Sequence, residues 1–240
     1  MTGKIGLWQQ IKEDFSQPLK NDPAINSRVE LCFNYPGVWA IVNYRFANIL
    51  YKKGFRRVAR AIMGVSQFIT NIDIHPSATI GRRVFLDHAF GVVIGETAIV
   101  EDDILIYQGV TLGGVSLDRG QKRHPTVQSG TVIGAGAKVL GDIIIGKNCR
   151  IGSNSVVVNS VTDNSTAVGI PARVIKKGRD KNPMAHNKIP DINKELFLYL
   201  FKRIKALETA VNAQHKDTNL VEEDKELEAI YKQFLKSVKE

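Results

Sequence analysis

A mainly β fold is predicted, a coil of stacked three-sided turns of parallel strand with helical segments before and after it, and three features of the 240-residue sequence predict it. An aliphatic residue returns every sixth position through the middle of the chain. The frame of that repeat slips twice. The segments on either side carry helical spacing instead. With 43% hydrophobic residues the chain can bury a substantial core.

The first 72 residues form the helical N-terminal region of this scheme. Helical spacing is clearest in WAIVNYRFANIL (39–50) and RRVARAIMGVSQFI (56–69). Most of the net charge of +9 also lies here, with 10 basic against 4 acidic side chains in residues 1–72. The densest basic patch is Lys52, Lys53, Arg56, Arg57 and Arg60. Its few interleaved aromatics favour a solvated helix face over a phosphate-binding element, so no nucleic acid is expected. No charged-then-apolar secretory pattern opens the chain, and no apolar run reaches the roughly 18 residues that span a bilayer. A cytoplasmic protein without membrane attachment is the expectation. Cys32 and Cys149 lie far apart and read as two buried thiols rather than a disulfide or a metal site.

Residues 73–177 hold the coil. Its inward positions are Ile74, Ile80 and Leu86, then Ile94, Val100, Ile106 and Leu112 after a slip of two residues, then Val127, Ile133, Val139, Ile145, Ile151 and Val157. Four residues after most of them stands a small or branched residue, including Ala78, Ala98, Val110, Thr131, Ala137, Cys149 and Ser155. Three residues after them come Asp103, Gly109, Gly130, Gly136, Asp142, Asn148 and Asn154, types that tolerate left-handed backbone. Each hexad is thus a short strand and a corner, and three hexads close a turn of about 18 residues. Val127 follows Leu112 by fifteen positions, which is no multiple of six, so GGVSLDRGQKRHPT leaves the coil as a loop. Pro125 holds His124 extended at its end. The earlier slip follows His88, so both irregularities fall beside a histidine. Taken alone, Asp87 and His88 read either as a catalytic pair or as a capped surface pair.

The runs DIHPSATIG (73–81), LDHAFGVVIGETA (86–98), YQGVTLGG (107–114), KRHPT (122–126), GAGAKVLG (134–141) and VGIPARV (168–174) resemble the serine O-acetyltransferase family of hexapeptide-repeat acyltransferases. The match covers roughly residues 20 to 177. It implies a left-handed parallel β-helix and transfer of the acetyl group of acetyl-CoA, the co-substrate, to L-serine in cysteine biosynthesis. It places His88 as catalytic base and Asp73 as its paired carboxylate, Asp87 and Asp22 on the substrate ammonium, and Arg123 and His124 on the substrate carboxylate from a neighbouring subunit. Gly114, Ala135, Arg150 and Ser153 match contacts to the coenzyme. The chemistry suits these types, because a serine hydroxyl attacks only as a base removes its proton, and a neutral imidazole is available near pH 7. A carboxylate on the other ring nitrogen fixes the tautomer and stabilises the imidazolium.

The resemblance implies a homotrimer or a dimer of trimers, the short N-terminal region leaving the two open. Phe90 stands where the family has a small polar residue, and the loop before Pro125 is one residue longer. Transfer to another small hydroxyl or amine, or a non-catalytic hexapeptide module, are therefore the competing readings. No metal is expected: the zinc carbonic anhydrases of similar fold need two histidines four residues apart, whereas the intervals here are 13 (75 to 88) and 36 (88 to 124). Residues 178–240 form a helical C-terminal extension with helical spacing in 194–211 and 225–240, a cap or a subunit-interface pair. The family's partner O-acetylserine sulfhydrylase docks on a terminal isoleucine. An ending in Lys239 and Glu240 speaks against that partnership.

Overall fold

Period six, once folded, becomes three columns of stacked side chains. The computed structural model describes residues 5–25, 27, 29–118, 120–177 and 192–214. The first face of the coil stacks β1 (Asp73–Ile74), β4 (Val93–Ile94), β7 (Thr111–Gly113), β10 (Lys138–Leu140) and β13 (Val156–Val157). On the second lie β2 (Thr79–Ile80), β5 (Ile99–Val100), β8 (Thr126–Val127) and β11 (Ile144–Ile145). The third carries β3 (Phe85–Asp87), β6 (Leu105–Tyr107), β9 (Val132–Ile133), β12 (Arg150–Ile151) and β14 (Ser165–Gly169), with β15 (Ala172–Lys177) folded back antiparallel on β14. All other pairings are parallel, one turn on the next.

Register sets the aliphatic positions directly over one another. Ile74, Ile94, Leu112, Val139 and Val157 form one column. Ile80, Val100, Val127 and Ile145 form the second, and Leu86, Ile106, Ile133 and Ile151 the third. All thirteen are buried. Each such side chain is worth about 1.5–3 kcal/mol of transfer free energy, so the stacked columns are the main stabilising term. Thr131, Cys149 and Ser155 are buried in the corners along with the small residues.

Six of the seven proposed left-handed corners have positive φ: Asp103, Gly109, Gly130, Gly136, Asn148 and Asn154. Asp142 does not. Gly141, with φ of 97°, turns the chain one residue earlier, and the Asp142 carboxylate instead lies 3.2 Å from Lys122 Nζ. The two thiols also differ, Cys149 being buried and Cys32 exposed.

Four helices precede the coil: α1 (Leu7–Asn21), α2 (Glu30–Phe33), α3 (Pro36–Lys52) and α4 (Arg56–Thr70). Pro36 occupies the first helical position of α3, where its missing N–H is no loss. The basic patch turns out to straddle the bend between α3 and α4, with Gly54 at φ of 92°, rather than one helix face; its five side chains are exposed. Polar groups of α3 close the open edge of the first turn, which a coil otherwise leaves unpaired. Tyr44 Oη donates to Ala78 O (2.6 Å) and accepts from Ile80 N–H (3.1 Å). Arg45 donates to Ile80 O and Gly81 O while its buried guanidinium pairs with Asp14 at 3.1 Å. Asn48 donates to Pro76 O. A β-carbon on Gly37 would overlap Leu86 O, so only glycine lets α3 approach β3 this closely.

The chain divides into two compact units, residues 1–189 and 190–240. In the second, α5 (Ile192–Gln214) covers the first of the two helical stretches expected in the tail. The stretch at 225–240 lies outside the described residues.

Candidate active site

Two clusters of polar side chains stand at opposite edges of the first face. The edge where the third face turns into the first carries His88. Here the two-residue slip is accommodated by successive tight turns, with His88 and Ala89 both left-handed (φ 55° and 62°) and Gly91 at 71°. Ala89 N–H donates to Asp87 O and Phe90 N–H to His88 O. A left-handed histidine followed by a left-handed alanine is unfavourable by roughly 1–2 kcal/mol per residue. Strain of this kind gathers at functional sites. It turns the imidazole outward, and His88 is exposed.

Asp87, the last residue of β3, is half-buried beside it. Burial, then the nearby charge of Asp22, pushes its carboxyl above the usual range, while His88 opposes that rise. Asp22 directly follows α1 and is held the other way. Its Oδ2 accepts from Tyr35 Oη at 2.7 Å and its Oδ1 from Ala24 N–H at 2.8 Å, which together with the charge of His88 lower its pKa. Burial and the Asp22 bond drive the Tyr35 phenol up. Tyr107 sits over Asp87 in register, and burial and the two carboxylates raise it as well. Two carboxylates, one imidazole and two phenols therefore share this end of the edge.

A backbone ladder continues the same edge upward. Gly109 N–H donates to Phe90 O, Gly136 N–H to Gln108 O, and Asn154 N–H to Ala135 O, each at 2.8 Å. At roughly 4.8 Å per turn, Ser153 stands about 14 Å along the edge from Phe90. Ala135 and Ser153 thus stand on one edge with His88. Arg150, expected to be exposed like Ser153, instead lies in β12 and is buried. Gly114 does not share this edge.

The opposite edge, between the first and second faces, collects Gly95, Glu96, Thr97, Gly114, Arg123 and His124. The loop that follows β7 drops His124 onto Gly95, where a β-carbon would overlap the ring. His124 Nδ1 accepts from Thr97 N–H (3.2 Å) and lies 2.8 Å from Thr97 Oγ1. The neutral ring therefore carries its proton on Nε2, beside Gly114. Thr97 Oγ1 accepts in turn from the N–H groups of Arg123 and His124. Arg123 pairs with Glu96 at 2.8 Å. Burial, reinforced by the charge of Arg123, lowers the His124 pKa.

His75 lies on this edge one turn below. Ser77 N–H donates to its Nδ1, and burial lowers its pKa. Asp73, on the first face in β1, exerts its charge on His75. No hydrogen bond or ion pair joins Asp73 to His88 among the described residues. His88 and Gly95 are seven residues apart (95 − 88) across the first face, so at roughly 3.3 Å per residue the edges lie at most about 23 Å apart, less where the turns at 88–91 fold the chain. Within one chain the structure brings Asp22, Asp87 and His88 together, and separately Gly114, Arg123 and His124.

Tyr35, Glu96, Thr97 and Tyr107 are polar members of these clusters that motif reading does not assign. Thr97 was within reach, since it stands in the GETA run. Among the described residues no group of three or more His, Cys, Asp or Glu could hold a metal ion, and no helix is long and apolar enough to cross a membrane.

The coil defines a hexapeptide-repeat transferase, and residues 124–159 match the model of the bacterial transferase hexapeptide (six repeats). The chain is 45% identical over 203 residues to the serine acetyltransferase of Synechococcus elongatus, covering 84% of this chain and 83% of that one. A serine acetyltransferase from Brucella abortus strain S19, solved in complex with coenzyme A, superposes with a TM-score of 0.68 at 42% identity, covering 71% of this chain and 68% of the other. That of Neisseria gonorrhoeae, solved in complex with serine, gives a TM-score of 0.66 at 38% identity over 70% and 68% of the two chains. The chain belongs to the serine acetyltransferase family.

Proposed function

We propose that the protein transfers the acetyl group of acetyl-CoA to the hydroxyl of L-serine, giving O-acetyl-L-serine and CoA for cysteine biosynthesis, at sites shared between subunits of a homotrimer. The observation that carries this reading is the meeting of Asp22 and Asp87 beside an outward-turned His88. An acid held above its ordinary pKa by burial and a neighbouring carboxylate is relieved when a cation enters, and the ammonium of an amino acid is such a cation. Bound there, the substrate has its side-chain oxygen within reach of the imidazole.

In the proposed reaction His88 takes the hydroxyl proton as the serine oxygen attacks the thioester carbonyl. The tetrahedral intermediate then collapses, the carbon–sulfur bond breaks, and the imidazolium returns its proton to the departing CoA sulfur. No covalent enzyme intermediate is needed. Asp73 lies one turn below the strand that follows His88, and it pairs with the ring once His88 swings over the first face; loose geometry before substrate binding is usual for such pairs. The coenzyme arm runs along this edge past Ala135 and Ser153, with Arg150 on the neighbouring strand.

The substrate carboxylate calls for charge-assisted donors, whereas the groups gathered immediately around His88 are two carboxylates and two phenols. Arg123 and the Nε2–H of His124 are such donors, but they sit across the first face in the same chain. A threefold arrangement that turns first faces toward one another places the His88 edge of one subunit against the Arg123, His124 and Gly114 edge of the next, completing both substrate and coenzyme sites.

Initial rates of thiol release from acetyl-CoA over a panel of acceptors test the reading. L-Serine is expected to be the best acceptor, above homoserine and simple alcohols, and His88→Ala lowers the rate by roughly 10²–10⁴. Equal rates for serine and an alcohol without an ammonium group, or an active His88→Ala, would overturn it.

A further inference from the structure

Helix α5 carries a seam of its own. Phe197, Leu200, Ile204, Leu207 and Val211 follow at intervals of three, four, three and four residues, the period of 3.5 that defines the inner positions of a coiled coil rather than the broader face of a helix packed on a globular body. These side chains face solvent in the single chain: Leu200 is 43% exposed, Ile204 49%, Leu207 60% and Val211 38%. With Phe197, Ile204 and Val211 at the a positions and Leu200 and Leu207 at d, Arg203 falls at g and Glu208 at e.

From this spacing we infer that α5 docks against the same helix of two other copies of the chain, forming a parallel, in-register three-stranded coiled coil. Charge fixes the direction. In a parallel coil a g residue faces the e residue five positions later on the neighbouring helix, so Arg203 meets Glu208 at every junction. An antiparallel alignment that keeps a over d sets Arg203 beside its own copy instead. Isoleucine and valine at a with leucine at d also serve two-stranded coils. Leu196 and Phe201, at the flanking g and e positions, face each other under the same parallel rule and widen the apolar seam, which suits three helices.

Five inner layers make a short coil, and most of a helix's stability comes from packing of its apolar face rather than from propensity. Tethering favours that packing, because three tails on one trimer meet at a high effective concentration. The inference rests on the trimer proposed above.

Disulfide trapping in the full-length chain tests it. In a Cys32→Ser background, Leu207→Cys puts a thiol at an inner position and Thr209→Cys one on the outer face. After mild oxidation, non-reducing gels are expected to show a covalent dimer band for Leu207→Cys, saturating at about two thirds of the chains because three strands hold one pair and one unpaired thiol. Thr209→Cys is expected to give no such band. The mass of the unmodified protein by light scattering is read alongside. A trimeric or hexameric mass without selective trapping overturns the coiled coil and leaves the trimer standing; complete conversion to covalent dimer overturns the three-stranded form; a monomeric mass overturns both readings.

Discussion

The two edges of the first face hold their histidines in opposite ways. His88 is exposed, held in left-handed backbone among carboxylates and phenols. His124 is 8% exposed, tied at Nδ1 to Thr97 and surrounded by Arg123 and Lys122, whose Nζ bonds the His124 carbonyl oxygen. In the proposed function the contrast separates two tasks. A proton-transferring ring must be able to turn and meet solvent and substrate, whereas a ring that orients a carboxylate works best in one tautomer and one place. The neighbours differ too, with Asp22 and Asp87 near His88 and Arg123 and Lys122 near His124; in the proposed function the first pair receives the substrate ammonium and Arg123 its carboxylate.

Substitutions confined to one edge separate the two. Asp87→Asn removes a charged acceptor from the His88 edge and is expected to lower kcat/KM for L-serine by roughly 10- to 150-fold, the equivalent of about 1.5–3 kcal/mol for a bond to a charged group. The same variant leaves the affinity for CoA within about twofold, which isothermal titration measures. A loss of both affinities together would make Asp87 structural.

Gly95→Ala strikes the other edge. The added methyl overlaps the His124 ring, and overpacking of this kind is unfavourable by about 1–3 kcal/mol. The melting temperature is expected to fall by several degrees, about 2–4 °C per kcal/mol for a chain of this size, and the KM for serine to rise because Arg123 and His124 shift together. Unchanged melting would contradict the packing described for this edge.

The smallest effect is a pH dependence of stability. Burial lowers the pKa of both His75 and His124 below 6.5. Their unfolded forms take up protons as pH falls through 6.5 while the folded forms resist, so in that window the unfolded state binds more protons and stability drops with acidification. Asp14 and Asp87, both raised by burial, act in the opposite sense at lower pH. The informative quantity is therefore the difference between wild type and His124→Asn. The melting temperature of the variant should fall less steeply between about pH 7 and 5.5, and an equal or steeper fall would contradict the assignment.

Much of the fold was legible because the coil's core repeats locally: each of the thirteen aliphatic positions is determined by its own hexad, and register merely stacks them. Where a local competitor stood nearby, the reading slipped by one residue, as Gly141 pre-empted Asp142. The basic patch misled because Gly54 bends the chain within it. The candidate site was legible in part. His88 and His124 announce themselves by frame breaks, but Tyr35 on Asp22 and Thr97 on His124 are bonds across 13 and 27 residues that no short pattern encodes. Nor does sequence spacing reveal that Gly114 and Ala135 lie on different edges.

Mixing inactive chains shows whether two edges of different chains make one site. His88→Ala and Arg123→Ala chains, each crippled alone, are co-expressed and assayed at low L-serine. If each site takes His88 from one subunit and Arg123 from the next, random assembly restores about a quarter of the sites, those with both intact edges. Activity no higher than that of the two variants assayed separately would mean that the edges act within a single chain, and would contradict a site shared between subunits.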